Sequence, residues 1–533
     1  MLAGILLANS CFTLQDLPAQ TTDDSAAKSR PALPADPASV TRQKMIERMD
    51  TLLSDRWKQA GIEPARPADD YEFLRRICLD LTGTIPTVHQ IYSYTEDKSQ
   101  PRLRRRKLVE QLLDSPSYAT HLATTWRMRM LPEEFDPQQL NMAEGLQSWL
   151  RKRFAANRRF DDLVADFLVA TGTGDRGPGL YYTAMELKPE RLAANTARIF
   201  LGLQIQCAQC HDHPFDDWLQ EEFWGYAAFF ARVKQGGSTR MSQNDLLDAE
   251  EGEVTLPATD RVILPRYPKG SVSDDSQNGT RRRRLAIWTV SRDNPYMARA
   301  TVNWAWSHMF GRGLVDPIDD FSKKNPPSHP ELLDELAAYF VATEFDLKEL
   351  LRTLALTDAY ALSSETNDTN RDHPEAYACM ATKVLTPEQL YDSLSIAIGS
   401  NVDPQFTAAI DQPDFFQQRR RDFLSRMRTN ASRPTEYEGG LPQALLLMNG
   451  AEISNATDGQ TGRLIASLDA PFFSDEQKLE TLFLATVSRK PSDAEKTRLH
   501  NYLDESRDAN NRQQALSDIL WALFNSAEFT LNH

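Results

Sequence analysis

The sequence predicts a mostly α-helical protein with two helical domains. Apolar residues recur at helical spacing along most of the chain, and alternating apolar and polar runs, typical of β-strands, are scarce. The 533 residues, 41% of them hydrophobic, exceed what one hydrophobic core usually serves. We therefore expect helical domains at 39–235 and 281–533, joined by a polar, partly β or irregular segment at 236–280.

The first 38 residues combine a weak export signal with a tether. The run MLAGILLANSC is apolar but lacks the positively charged start of a signal peptide. A signal that has lost its first residues would explain this pattern, and the alternative is an N-terminus that stays in the cytoplasm. Cys11 is a candidate lipid-anchor site. Residues 16–38 are rich in Pro, Ala, Asp, Ser and Thr, which predicts a disordered tether.

Helical periodicity defines the first domain. The spacing predicts helices at 45–53, 70–81, 103–113, 145–155, 159–170 and 189–201. Pro189 suits a first helical turn and Gly202 suits a helix end, so the last of these helices should stop there. Cys78 lies within an apolar pattern, which predicts a buried thiol that packs like a small apolar residue.

The middle segment and the second domain show different patterns. Residues 236–280 are polar and acidic, with a strand-like run from Val254 to Leu264 that predicts a small hairpin. Helical periodicity returns near residue 281. There, Ser328 and Glu331 have the spacing of a capping box, which would place His329 at the first position of a helix.

Charge argues against a nucleic-acid partner, and hydropathy argues against a transmembrane span. The net charge of −15 argues against nucleic acid, because phosphate binding requires a basic face. The two basic runs, Arg104–Lys107 and Arg281–Arg284, are predicted to be solvated helix surfaces. No apolar run approaches the ~20 residues that cross a bilayer, so no transmembrane span is expected.

The most distinctive stretch is QIQCAQCHDHPF, residues 204–215. Cys207, Cys210 and His211 form Cys-x-x-Cys-His, the attachment signature of c-type haem. Two thiols at this spacing can reach the two vinyl groups at one porphyrin edge, and the adjacent histidine can bind the iron. The aromatic residues that follow, from Phe215 to Phe230, could supply apolar walls.

Two further histidines bear on an axial ligand. His329 is a candidate distal ligand, because the dipole at a helix N-terminus keeps an imidazole neutral and free to bind metal. His308, between Trp306 and Phe310, is instead predicted to be a core histidine.

Other uses of the cysteine–histidine cluster stay open. Cys207, Cys210 and His213 could bind zinc with a fourth ligand from elsewhere. The two cysteines could also form a redox dithiol or a disulfide. A metal-dependent hydrolase could use His211, His213 and Asp216. The chain contains no phosphate-binding glycine loop, nucleophile elbow or HExxH motif, so the sequence does not decide whether it is an enzyme.

Several longer motifs resemble known families. LRRICLDLTGTIPT (74–87), LLDSPSY (112–118) and RIFLGLQIQCAQCHDHPFDDW (198–218) resemble the planctomycete cytochrome-like domain. DNPYMARATVNWAWSHMFGRGLVDPIDDF (293–321) and LTPEQLYDSL (385–394) resemble the planctomycete-specific domain that follows it in such proteins. The resemblance covers residues 40–235 and 281–533 and implies an exported protein, either periplasmic, secreted or bound to the cell envelope.

Both families are of unknown function, and the cytochrome label depends on the same Cys-x-x-Cys-His motif. The leading hypothesis is one covalent haem c on Cys207 and Cys210, with His211 as proximal ligand. It would serve electron transfer or redox sensing with an unknown redox or envelope protein. The alternatives are an envelope structural or binding protein with a zinc site or a disulfide, and a metal-dependent hydrolase.

Overall fold

The computed structural model describes residues 42–131, 137–171, 177–236, 246–273, 279–399, 414–428, 435, 440–459, 462–470, 472–506 and 509–533. The predicted export signal and tether, with Cys11, lie outside these residues. Within the described ranges, no helix is both long and apolar enough to cross a membrane.

Helices dominate the described chain, as the sequence predicts. The helices up to residue 397 are α1 Arg42–Ala60, α2 Asp70–Thr82, α3 Val88–Thr95, α4 Pro101–Leu113, α5 Pro116–Met130, α6 Pro137–Ala155, α7 Phe160–Leu168, α8 Gly177–Ala184, α9 Pro189–Thr196, α10 Gln220–Ala227, α11 Arg281–Thr289, α12 Met297–Phe310, α13 Pro330–Ala342, α14 Leu347–Ala355 and α15 Pro387–Ala397. The later helices are α16 Asp414–Met427, α17 Leu441–Asn449, α18 Ala451–Ala456, α19 Arg463–Leu468, α20 Asp475–Thr486, α21 Asp493–Glu505, α22 Ala509–Phe524 and α23 Ala527–Thr530.

Short irregular helices and strands complete the described fold. A π-helical turn, Ala197–Leu201, continues α9 and ends at Gly202, as predicted, and 3-10 turns cover Gln206–Gln209, Ala228–Phe230 and Pro374–Ala376. The strands are β1 Val233–Gln235, β2 Leu246–Asp248, β3 Val254–Thr255, β4 Val262–Ile263, β5 Lys383–Val384 and β6 Leu531–Asn532. They pair antiparallel as β1–β2, β3–β4 and β5–β6, and β3–β4 forms the hairpin expected in the middle segment.

The largest hydrophobic core contains residues from both predicted domains. Phe73, Trp126 and Phe200 belong to it together with Trp306 and Phe340, all at most 2% exposed. Helix α1 packs against α13 and α14, and α12 packs against the π-helical turn. The two regions therefore share one core, and the domain limits at 235 and 281 stay a prediction.

A second core forms around the C-terminal helices. Leu482, Leu520 and Phe524 pack there with Leu79 and Ile85 from the beginning of the chain. Most apolar residues of α2 face the first core and Leu79 faces the second, so α2 connects the two cores.

The predicted capping box is wrong. Helix α13 starts at Pro330 with His329 as its N-cap, and no side-chain hydrogen bond caps it. The Ser328 hydroxyl lies 3.1 Å from Nδ1 of His329, and the Glu331 carboxylate pairs with Arg48. Because Pro330 has no N–H and its fixed φ suits the first turn, the helix begins there instead.

The prediction of a solvated surface at 281–284 is also wrong. Arg282 donates to Asp248 at 2.9 Å and to the Ala170 carbonyl at 2.8 Å, from a site where it is 0% exposed. The middle segment folds against α11 and supplies acceptors that the local sequence does not reveal. The buried members of the run are Arg281, Arg282 and Arg284.

Candidate functional site

The CxxCH loop, Leu203–Leu219, connects the π-helical turn to α10. Ile205 and Ala208 are at most 1% exposed, whereas Cys207 and Cys210 are exposed. This arrangement follows from the sequence, because Ile205, the N-cap of the short 3-10 turn, and Ala208 within it are three positions apart and anchor one side of the turn. Both cysteines carry free thiols on the solvent side.

Helix α10 holds the backbone of the motif in place. The indole N–H of Trp224 donates to the Gln209 carbonyl at 3.0 Å, and the side-chain amide of Gln220 donates to the Cys210 carbonyl at 2.8 Å. The backbone N–H of Gln220 donates to a carboxylate oxygen of Asp212 at 2.8 Å. These bonds fix the carbonyls on either side of Cys210 and leave its side chain exposed.

The two histidines of the loop are held in opposite tautomers. Nδ1 of His211 lies 2.7 Å from the Asp212 carbonyl oxygen, which can only accept, so Nδ1 carries the proton. In the neutral ring, Nε2 of His211 is then a free acceptor, the state required of a metal ligand. Nδ1 of His213 instead accepts from the Phe215 N–H at 3.2 Å, so a neutral His213 carries its proton on Nε2.

The segment after α12 supports the loop from the other side. The Phe321 N–H donates to the Gly202 carbonyl at 2.9 Å, and Asp319 accepts from Arg198 at 3.1 Å and Gln204 at 2.9 Å. Gly202 has φ of 69°, and a Cβ there would lie 2.6 Å from the Phe321 ring. Only glycine fits both the left-handed backbone and this close approach.

An aromatic and cationic rim borders the loop. Phe215 and Leu219 are 68% and 52% exposed. The Lys324 ammonium lies 3.7 Å from the centre of the Phe215 ring, and Lys323 pairs with Asp217.

Most of the aromatic residues after the motif do not form a wall beside the cysteines. They belong to the largest core, because α10 and the 3-10 turn Ala228–Phe230 that follows it direct their side chains inward. Apolar contact at the loop is therefore offered by the exposed Phe215 and Leu219. The aromatic residues that are at most 2% exposed are Phe223, Tyr226, Phe229 and Phe230.

His329 is buried, and the contacts that the structure describes for its side chain do not include the CxxCH loop. It is 7% exposed, and its ring centre lies 5.6 Å from that of Tyr377. Burial lowers its pKa to about 4, so it is neutral at pH 7. Its Nε2 has no hydrogen-bond partner in the described part of the chain. Its imidazole ring contacts Ser328 and Tyr377, and its assignment as distal ligand stays a prediction.

His308 is a core histidine, as predicted. Its Nε2 donates to the Asp80 carbonyl at 2.8 Å, and its ring stacks on Trp304. The ring of His121, which the sequence did not single out, lies 5.5 Å from it. Burial lowers the pKa of both histidines, that of His121 to about 3.

A metal centre built from protein groups alone is not assembled in the described residues. No group of three or more His, Cys, Asp or Glu side chains there has the arrangement needed to hold a metal ion. Cys207, Cys210 and His213 are neighbours in sequence, but within the described residues they are not part of any group of three or more such side chains that could hold a metal ion.

A buried polar cluster, the α2 clamp, escaped sequence analysis. It consists of Arg75, Arg76 and Asp80 with the groups that they bind. Asp80 is 3% exposed and accepts from Lys383 at 2.6 Å, as well as from Tyr360 and Asn532. Arg75 donates to five acceptors near the C-terminus, four of them backbone carbonyls. The clamp joins α2 to strands β5 and β6.

Comparison with family models agrees with the motifs. Residues 48–235 match PSCyt2, described as a protein of unknown function (DUF1549). Residues 281–436 match PSD1, a protein of unknown function (DUF1553). These are the two planctomycete domains that the sequence resembles. Neither the curated proteins nor the solved structures yield a match to the chain.

Proposed function

The chain carries a PSCyt2 domain followed by a PSD1 domain, both of unknown function, and from its own residues we propose that it binds one covalent haem c. Cys207 and Cys210 would hold the haem, and His211 would be its proximal ligand. The observation that carries the proposal is the His211 tautomer beside two exposed thiols. Proton donation to the Asp212 carbonyl leaves Nε2 of His211 ready to bind iron.

The residues present fit this group. Each cysteine would add its S–H across one vinyl group of the haem, so that sulfur would bond to one vinyl carbon and the hydrogen would go to the other. No electron is exchanged in this addition. Both thiols must be reduced and reachable, and both are free and exposed. The hydrogen bonds from Gln220 and Trp224 hold the turn while the side chains react.

A bound haem would supply a one-electron couple of its iron. The chain would present that couple at the protein surface, because the loop lies at the solvent side of the fold. Electron transfer or redox sensing with a redox or envelope protein suits such a position. We place the protein outside the cytoplasm, in the periplasm, secreted or at the envelope, with a lipid anchor on Cys11 as one mode of attachment.

The zinc and hydrolase alternatives both depend on His213. Nδ1 of His213 already accepts a hydrogen bond, and its Nε2 is protonated in the neutral ring. Binding a metal through either nitrogen would break the bond from Phe215. This cost favours the haem proposal, which does not use His213.

The test is haem attachment in protein exported together with haem-attachment machinery. We expect a reduced α-band and haem that remains on the denatured polypeptide. Cys207→Ser and Cys210→Ser should each remove one thioether bond, and the double variant should lose covalent haem. Cys379→Ser, at a half-buried thiol, is the matched control and should keep full haem content.

Histidine variants separate the alternatives. His211→Ala should change the spectrum of the attached haem, whereas His213→Ala should not. A fully expressed wild-type protein without covalent haem would refute the proposal. Zinc by elemental analysis with reduced thiols would then support a zinc site, and neither metal nor free thiols would support a disulfide. Metal-stimulated hydrolysis that is lost in His213→Ala but kept in Cys207→Ala would support the hydrolase.

A further inference from the structure

Phe215, which lies in the CxxCH loop five positions after Cys210, forms an exposed pair with Lys324. Phe215 is 68% exposed, which is unusual for a large apolar side chain next to a core that buries its aromatic neighbours. Lys324 reaches it from the segment that supports the loop, with its ammonium 3.7 Å from the ring centre. The contact places an apolar face and a positive charge together at the loop that carries both thiols.

Lys324 differs from the other lysines around the loop. Lys323 pairs with Asp217, and Lys269 pairs with Glu222 at 2.7 Å. Among the residues that the structure describes, Lys324 has the Phe215 ring as its partner and no carboxylate. A cation–π contact at an exposed site contributes only about 0.5–1 kcal/mol, so the ammonium can readily exchange the ring for an anion.

We propose that Phe215 and Lys324 are the second half of the haem site. Phe215 packs against the porphyrin, and Lys324 pairs with one of its carboxylates. This inference rests on the proposed function and adds two positioning residues to it. An exposed aromatic ring and an ammonium without a carboxylate partner complement a flat, apolar and anionic ligand that two thiols hold.

The pairing has an electrostatic consequence for the redox couple. Reduction of the iron removes one positive charge from the site. A nearby ammonium therefore favours the reduced form and raises the midpoint potential. Loss of the Lys324 charge should lower the potential, and reversal of the charge should lower it further.

The experiment compares haem content and midpoint potential in the exported, haem-loaded protein. We expect Lys324→Gln to keep covalent haem and to lower the ratio of reduced to oxidised protein at fixed potential about threefold, or ~30 mV. Lys324→Glu should have about twice that effect. Phe215→Asn should also lower the potential, because a polar side chain stabilises the more charged oxidised form, and Phe215→Leu should not.

Lys98 provides the matched control. It is exposed in the connection between α3 and α4, so Lys98→Glu makes the same charge change outside the loop and the segment that supports it. Added salt should shrink the effect of Lys324→Glu, because an exposed ion pair is screened. Attached haem with equal potentials in Lys324→Glu and Lys98→Glu would overturn this inference and leave haem attachment standing. Wild-type protein without covalent haem would overturn both.

Discussion

The α2 clamp and the CxxCH loop are both polar elements that connect the first half of the chain to the second, yet they differ in exposure. In the clamp, Asp80 is 3% exposed and has three side-chain donors. In the loop, both cysteines are exposed, and the hydrogen bonds hold the backbone instead of the thiols. Buried polar groups that pair with one another, as Asp80 does with its three donors, stabilise one arrangement, whereas exposed groups on a fixed backbone remain free to react.

This difference separates structural residues from candidate functional residues. Substitutions in the clamp should act on the free energy of unfolding, and substitutions in the loop should act on ligand binding with little change in stability. The predictions that follow test that separation.

The largest effect is expected from Asp80→Ala. The variant leaves the Lys383 ammonium buried without its carboxylate and removes the acceptor of Tyr360 and Asn532. Removing one partner of a buried ion pair costs about 3–5 kcal/mol. Urea denaturation should show that decrease in the free energy of unfolding.

Two controls sharpen this measurement. Asp372→Ala, at an exposed carboxylate, should change the free energy of unfolding by less than about 0.5 kcal/mol. The double variant Asp80→Leu with Lys383→Met should lose less than the sum of the single variants, because no unpaired charge remains. An Asp80→Ala variant as stable as the wild type would contradict the structural role of the clamp.

The second largest effect is expected at the base of the loop. Gly202→Ala combines a left-handed backbone with a Cβ placed 2.6 Å from the Phe321 ring. We expect a loss of about 2–4 kcal/mol, measured by urea denaturation. Gly61→Ala, with φ of 65° and no atom within 4 Å of the added Cβ, should lose only about 1–2 kcal/mol. Equal losses would show that Phe321 does not constrain the loop.

A third prediction concerns pH and the histidines next to the clamp. Burial lowers the pKa of His121 to about 3, the nearby titratable groups His308 and Lys383 lower it further, and the backbone of Asp80 opposes this shift. Because the pKa of His121 is lower in the folded protein, only the unfolded protein binds this proton between about pH 6.5 and 3. The stability that neutral His121 contributes is therefore complete above pH 6.5 and is lost as the pH falls toward 3. The free energy of unfolding should drop by roughly 1.4 kcal/mol per pH unit for each such histidine.

Denaturation between pH 6.5 and 5 checks this slope before most carboxylates titrate. His121→Phe should reduce the slope by the share of one histidine, because the variant has no proton to bind at that position. An unchanged slope in this variant would mean that His121 takes up its proton equally in the folded and unfolded protein.

The helices, the hairpin and the CxxCH motif could be predicted because their signals are local. Apolar spacing locates α2 and α4, Gly202 marks a helix end, and the strand-like run at 254–264 marks β3 and β4. The clamp could not be predicted, because Asp80 meets Lys383 across 303 positions and Asn532 across 452. Nothing in the sequence near Asp80 indicates those partners.

The burial of the arginine run and the contact between Phe215 and Lys324 could not be predicted for the same reason. Arg282 resembles a solvated arginine until Asp248 and the Ala170 carbonyl are placed against it. Lys324 is one lysine among many until its ammonium is found over Phe215. Chemical identity can be read from a short motif, but burial and pairing depend on distant segments of the chain.

The smallest effect on stability is expected from the loop cysteines. In a Cys11→Ser background, Cys207 and Cys210 should react rapidly with a thiol reagent in the folded apoprotein. Cys379, whose pKa is raised by partial burial, should react more slowly. Cys78, 1% exposed with its pKa raised to about 12, should react only after unfolding.

Cys207→Ser with Cys210→Ser should remove the two fast thiols and change the free energy of unfolding by less than about 0.5 kcal/mol. The reason is that Ile205 and Ala208 bury the anchored side of the turn, while the sulfur atoms contact solvent. Exposed side chains without partners contribute little to stability. A decrease of more than about 1 kcal/mol in the free energy of unfolding would therefore show that the two thiols stabilise the fold, as Asp80 does. The loop would then differ from the clamp in exposure alone, and its cysteines would be explained by folding instead of ligand binding.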